Sequence, residues 1–309
     1  MARLSRAAGL LVCVCILVIP ARAHTQSRGV YPLGMTAIGS GVTPEPGFTY
    51  ANQLLFYSRD ESKSDDGSTL PVSGQNAVIM DMNSFVWVSK LTVLGGAHYS
   101  AVATLPIAKN QLVSDIHGQL SGGGGFADSY YLPLILGWNR ERTSLRALVG
   151  FLAPTGRFAE GASDNVGSGY WTPTLSSGQT VRITRSNSVA FSAFELYEWH
   201  TTQQGTGTQP GGTINLDYSL VRAFAFAKGP TRLQVGVAGY EQRQTTAKTG
   251  PAITDEQSRE RYAINALGFV VNFVFPNQRV NAGVKFFEEF HNRAAYQGYS
   301  LQVSGAVSF

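Results

Sequence analysis

Strict alternation is the feature that most constrains this chain. Over residues 299–309, Tyr299, Leu301, Val303, Gly305, Val307 and Phe309 fall on one face of an extended chain, and Ser300, Gln302, Ser304, Ala306 and Ser308 on the other. Successive side chains of a strand point to opposite sides, so this window makes a strand with one greasy and one polar face. Similar windows, rich in β-branched and aromatic residues and bounded by Gly, Pro, Asn and Ser, occur at 47–58, 75–89, 93–106, 128–138, 144–153, 168–180, 188–200, 213–227, 231–245, 259–275, 279–290 and 296–309. Each is long enough to cross a bilayer core at the usual tilt.

Hydrocarbon offers no partner for a backbone amide, so strands can cross it only as a closed sheet with its apolar face outside. The connectors agree with that arrangement. Short turns at 90–92, 139–143, 181–187, 228–230 and 276–278 mostly alternate with long polar stretches at 59–74, 107–127, 154–167, 201–212 and 246–258, and 291–295 is a short exception. The expected fold is all-β, a transmembrane antiparallel β-barrel of 12 strands, with short periplasmic turns and long extracellular loops in a Gram-negative outer membrane. Its outward side chains would include Phe48, Tyr50, Leu54 and Phe56; Val78, Met80, Met82, Val86 and Val88; Leu145, Val149 and Phe151; and Val280, Val284 and Phe286. A soluble sandwich or lipocalin-like barrel also alternates, but the loop asymmetry, the leader and the terminal Phe309 favour the membrane. Two windows fit poorly: Glu195 and Glu198 have opposite parity, and 259–275 is apolar on both faces.

Composition supports this reading. Only 14% of the residues are charged, against about a quarter in an ordinary soluble domain. Residues 1–23 have the plan of a secretory signal peptide: Arg3 and Arg6, an apolar run over 9–19, then Pro20 and the small-residue site Ala21, Arg22, Ala23. Three of the 24 basic residues and no acidic one lie there, so the net charge of +4 falls to +1 without it, which removes the case for a nucleic-acid partner. Both cysteines, Cys13 and Cys15, lie there too, so disulfides and Cys-based metal or catalytic sites are excluded from the mature chain. After the leader no run of 18 apolar residues could form a membrane helix.

Three groups of residues could carry function. The segment 24–46, rich in Gly and Pro and carrying Tyr31, Leu33, Met35 and Ile38, is either a periplasmic tail or a lumen plug ahead of the barrel at 47–309. By parity Asp81, Arg146, Asp217, Lys285 and Glu289 are candidates for the lumen lining, either tuning what passes or filling a narrow barrel with ion pairs. His98 and Ser100 share a strand face, a spacing similar to that of the outer-membrane phospholipase, but an orienting third group is missing and Ala101-Val102 follows the serine. Trp138, Tyr170, Trp171, Tyr197 and Trp199 suit an interfacial girdle. Gly122 to Gly125 lacks the continuation of a phosphate loop and reads as an external loop or a constriction. The histidines show no metal spacing, and neither a metal nor a cofactor is expected.

Pro46-Gly-Phe-Thr-Tyr-Ala-Asn52, Leu94-Gly-Gly96, Pro133-Leu-Ile-Leu-Gly-Trp138, Pro154-Thr-Gly156, Gly169-Tyr-Trp-Thr-Pro-Thr174 and Asp217-Tyr218 occur in an order that resembles the outer-membrane proteins associated with the meta-pathway of phenol degradation. The resemblance spans nearly all of the chain beyond the leader, departing at the polar run 176–182 and in the Gly, Thr and Gln-rich loop 201–212. It implies a barrel that passes small aromatic or hydrophobic compounds and carries no catalytic residue. The expected function is therefore passive uptake of small organic solutes. The alternatives are a structural or adhesive barrel with a closed lumen and, third, a lipid hydrolase. The expected partners are the bilayer, the solute, and the outer-membrane assembly machinery through the last strand and Phe309.

Overall fold

The computed structural model describes residues 30–71, 74–115, 118–226 and 229–309. The expected leader, and residues 24–29 of the segment after it, lie outside the described residues. Thirteen strands form: β1 (Gly47–Lys63), β2 (Gly74–Val93), β3 (Ala97–Ser114), β4 (Gly118–Phe126), β5 (Ser129–Asn139), β6 (Thr143–Ala153), β7 (Thr172–Arg182), β8 (Val189–Glu198), β9 (Thr213–Ala225), β10 (Arg232–Gln244), β11 (Ala263–Phe275), β12 (Val280–Glu289) and β13 (Ala295–Ser308).

Twelve of them close on themselves. Each pairs antiparallel with its neighbours in the order β1, β2, β3, β5 and onward to β13, and β13 returns to β1 with Thr49 opposite Ser308 and Lys63 opposite Ala295. Closure joins the first and last strands of this twelve-stranded sheet, as the hydrogen-bond argument requires. The outer wall carries Phe48, Phe85, Trp87, Leu145, Val149, Leu175, Phe191, Leu220, Val237, Phe269, Val284 and Val303, each more than a third exposed. Such an apolar band would be unstable in water and is suited to lipid. No helix is long and apolar enough to cross a membrane among the described residues.

Three differences from the sequence reading have local causes. The stretch 107–127 is not a loop: β3 continues to Ser114, and β4 folds back on its upper half, with Ile107 opposite Phe126 and Ser114 opposite Gly118. This hairpin docks on the 154–168 loop, where Gly122 N donates to Ser163 O at 2.8 Å and Asn110 Nδ2 to Asn165 O at 2.9 Å. Strand β7 starts at Thr172 rather than 168, because Asp128 accepts from Ser168 N at 2.7 Å and holds the chain back. Residues Asp255–Arg259 form one helical turn, α1, capped by Thr254 and Gln257 in a reciprocal box, so β11 begins only at Ala263.

Candidate functional site: the barrel lumen

The inner wall carries rows of polar side chains among apolar ones, where the outer wall is greasy. On β7, β8 and β9 the inward rows include Thr174, Thr180, Ser192, Asn215, Asp217 and Ser219, all buried. In an empty tube they would face water. Here they face residues 30–46, which run through the lumen from the long-loop end to the short-turn end. Tyr31 N donates to Glu198 Oε1 at 2.7 Å, at the long-loop end of β8. Further along, Gly39 N donates to Ser192 Oγ at 3.1 Å, Gly41 N to Thr180 Oγ1 at 3.1 Å, and Asn139 Nδ2, at the short-turn end of β5, to Thr43 O at 2.8 Å. A chain without regular structure leaves its amides and carbonyls unpaired, and the wall side chains supply the partners.

The tightest hold is on residues 34–36. The Asp217 carboxylate accepts from Gly34 N, Thr36 N and the Tyr31 hydroxyl, the last at 2.7 Å. Lys285 Nζ donates to Gly34 O at 2.6 Å, Gln302 Nε2 to Leu33 O at 2.8 Å, Ser219 Oγ to Ala37 O at 2.6 Å, and Arg146 Nε to Ser40 O at 2.6 Å. Two wall glycines make room for the passage. A Cβ at Gly137 would sit 1.8 Å from Thr43 Oγ1, and one at Gly178 would sit 2.1 Å from Ser40 O.

Of the proposed lining residues, Arg146, Asp217, Lys285 and Glu289 point inward. Glu289 faces Arg59, with Nη2 and Oε1 2.8 Å apart and Nε 3.0 Å from both oxygens, and it also accepts from the Tyr240 hydroxyl at 2.9 Å. Arg59 was missed because β1 was read as ending at residue 58, whereas it continues to Lys63. Asp81 points the other way. It faces outward with Ile79, Phe85 and Trp87, while Met82 and Val88 are buried inside, so the expected outward set Val78, Met80, Met82, Val86 and Val88 is reversed on β2. Both faces of β2 are apolar, and its one carboxylate was the wrong guide. Asp81 is supported on the outer wall by Asn52 Nδ2 at 2.5 Å.

Glu195 and Glu198 do have opposite parity. Glu198 is inside, bonded to Tyr31 N and the Thr213 hydroxyl. Glu195 is outside, accepting from Ser177 Oγ at 2.7 Å and Gln179 Nε2 at 2.9 Å. That network accounts for the polar run in β7. Of the proposed plug residues, Tyr31 and Leu33 are buried, and Met35 and Ile38 pack as partly buried neighbours of the same core.

Trp171 and Trp199 are half exposed at the long-loop end, as a girdle requires, but Tyr170 is buried edge-on against His200 with ring centres 5.2 Å apart. Burial holds the His200 imidazole down to about 4. His98 Nδ1 lies 3.0 Å from the Ser89 carbonyl oxygen, and no acidic side chain bonds it among the described residues. Cavities remain on both sides of the segment: about 530 and 380 Å³ toward the long loops, and about 450 Å³ toward the short turns.

The fold has a solved counterpart, and two further structures show a weaker likeness. An outer membrane channel from Pseudomonas putida F1 is similar over 91% of this chain and 100% of its own, with a TM-score of 0.72 and 13% identity. The β domain of the Bordetella autotransporter BrkA covers 86% of this chain and 100% of its own at 12% identity and a TM-score of 0.49. The transport unit of the Escherichia coli autotransporter AIDA-I covers 89% of this chain and 95% of its own at 10% identity and 0.45. The chain has no match among curated proteins. The likeness shows the fold, a closed antiparallel β-barrel of the outer-membrane type. Residues 58–304, most of the barrel, match the family described as "Putative MetA-pathway of phenol degradation", and the chain belongs to that family.

Proposed function

We propose that this barrel admits small hydrophobic or aromatic solutes by passive diffusion, and that residues 30–46 are a plug that regulates the passage. One observation carries the reading: the segment lies along the lumen with its backbone tied to side chains of β5 to β9, β12 and β13, and space remains at both ends. Small barrels are filled by their own large side chains. Here Tyr240, Phe287 and Leu196 take part of the interior, and a length of chain anchored at β1 takes the rest. Moving that segment opens a route without breaking the barrel. Permeation of this kind depends on weak contacts with the lining, since tight binding would hinder exit.

The test is conductance. Deleting residues 30–44 and recording single channels in planar bilayers gives a conductance several-fold above that of the full chain. Equal conductance removes the plug. A deletion variant that passes no ions and shows no solute-dependent liposome swelling makes this a closed structural barrel instead.

A further inference from the structure

We propose that the cavity beside Met35 is a binding site for one monocyclic aromatic hydrocarbon, held between the thioethers of Met35, Met80 and Met82 and the ring of Tyr130, and that its occupancy bears on the N-terminal segment through Met35. The inference rests on the channel reading above and names the site at which that channel meets its solute.

The first observation is where the methionines are. The chain has four, at positions 1, 35, 80 and 82, and the last three all line one cavity of about 380 Å³ together with Tyr130, Leu152 and Pro106. Met80 and Met82 are there because β2 turns them inward. Thioethers are polarizable and adaptable, and they make favourable contacts with the edges of aromatic rings. An apolar cavity of about 150 Å³ already accepts benzene, so this one has room for a ring with short alkyl substituents.

The second observation concerns the polar atoms around it. Thr104 Oγ1 pairs with Ser84 Oγ at 2.8 Å, and the Tyr130 hydroxyl with Thr174 Oγ1 at 3.4 Å. The Asn110 amide bridges Asn165 O and Gly123 N, and the Asp128 carboxylate holds Gly156 N and Ser168 N. Each polar side chain on this wall already has a partner within the protein, Ser168 Oγ donating to Tyr170 O. A solute hydroxyl would give up its bonds to water for acceptors that are already shared, a cost that a hydrocarbon ring avoids.

The third observation is the connection to the segment. The carbonyl of Met35 accepts from Lys285 Nζ at 2.8 Å, and the next amide, Thr36 N, donates to Asp217. A ring seated against the Met35 side chain therefore presses on the most strongly anchored turn of the segment.

The experiment uses the full-length barrel in lipid nanodiscs with methyl-13C methionine, so that three resonances report on one cavity. Toluene shifts the Met35, Met80 and Met82 methyls upfield and saturates, while phenol needs a concentration about tenfold higher or more for the same shift. In Met82→Trp, which fills the cavity, the toluene shifts of the two remaining methyls disappear while the barrel keeps its heat-modifiable mobility on a gel. Leu152→Trp serves in the same way if the first variant does not assemble. Unmoved methyls, shifts that do not saturate or persist unchanged in the filled variant, or phenol equal to toluene would overturn the proposal. Ion conductance without toluene reports separately on the channel: a conducting barrel with unmoved methyls loses this site and keeps its function, and a closed barrel with saturating shifts does the reverse.

Discussion

Asp217 and Lys285 hold the same backbone turn, and they do so through the peptide groups rather than as an ion pair. Asp217 takes the amides of Gly34 at 2.9 Å and Thr36 at 3.0 Å, while Lys285 takes the carbonyls of Gly34 at 2.6 Å and Met35 at 2.8 Å. One residue stands on β9 and the other on β12, so the barrel wall must be complete before the turn is gripped.

Hydrogen bonds to a charged group contribute about 1.5–3 kcal/mol each, so weakening this grip should release the segment. Asp217→Asn and Lys285→Met are each expected to raise the time spent in a high-conductance state by about tenfold or more. Planar bilayer recordings at fixed voltage check this, and wild-type gating in both variants would separate the grip from the gate.

The Arg59–Glu289 pair is buried, and truncating one partner strands the other charge at a cost of about 3–5 kcal/mol. Glu289→Ala should cost more than Arg59→Ala, since Tyr240, Asn292 and Gly298 N also donate to the carboxylate. The double variant should cost less than the two singles added. Urea unfolding midpoints in lipid vesicles give the comparison, and simple additivity would show that the two side chains act independently.

Glu195 sits among lipid-facing residues and is tolerated through Ser177 and Gln179. Ser177→Ala should therefore destabilise the barrel by about 1 kcal/mol, the scale of a lost hydrogen bond. Glu195→Leu should be neutral or stabilising, because a leucine needs no such support on an apolar wall. A large loss of stability in Glu195→Leu, read from the same unfolding curves, would mean that the carboxylate is not facing lipid.

His200 stays neutral in the folded loop because burial disfavours its charged form, with its imidazole held at about 4 against an ordinary 6.5. The unfolded chain then binds more protons between those values. Stability is present in full above about pH 6.5 and falls as the pH drops toward 4. His200→Gln should flatten that part of the stability curve, and the pH dependence of the thermal unfolding midpoint from 7.5 to 4 measures it. An unchanged slope in the variant would assign the acid sensitivity to other groups.

The alternation of 299–309, with Val303 and Tyr299 half exposed and Ser300 and Gln302 buried, was legible because a strand's two faces differ by simple parity. Where one face was polar, parity placed the side chain, as with Asp217 and Lys285. On β2 both faces are apolar, so parity had nothing to choose between, and Asp81 and Met82 were exchanged. The hairpin of β3 and β4 was hidden for a related reason: its second strand is mostly glycine and serine, and its pairing comes from β3 rather than from its own side chains.

By itself, the sequence determined that the chain would form about a dozen amphipathic strands and close them, because period two and backbone hydrogen bonding are local requirements. Only the tertiary structure decided what fills the tube. The amides of Tyr31, Gly34, Thr36, Gly39 and Gly41 find their partners on strands more than 100 residues away, such as Tyr31 with Glu198 and Gly34 with Asp217. No periodicity in the segment encodes those partners, since they exist only once the barrel has brought its inward rows together.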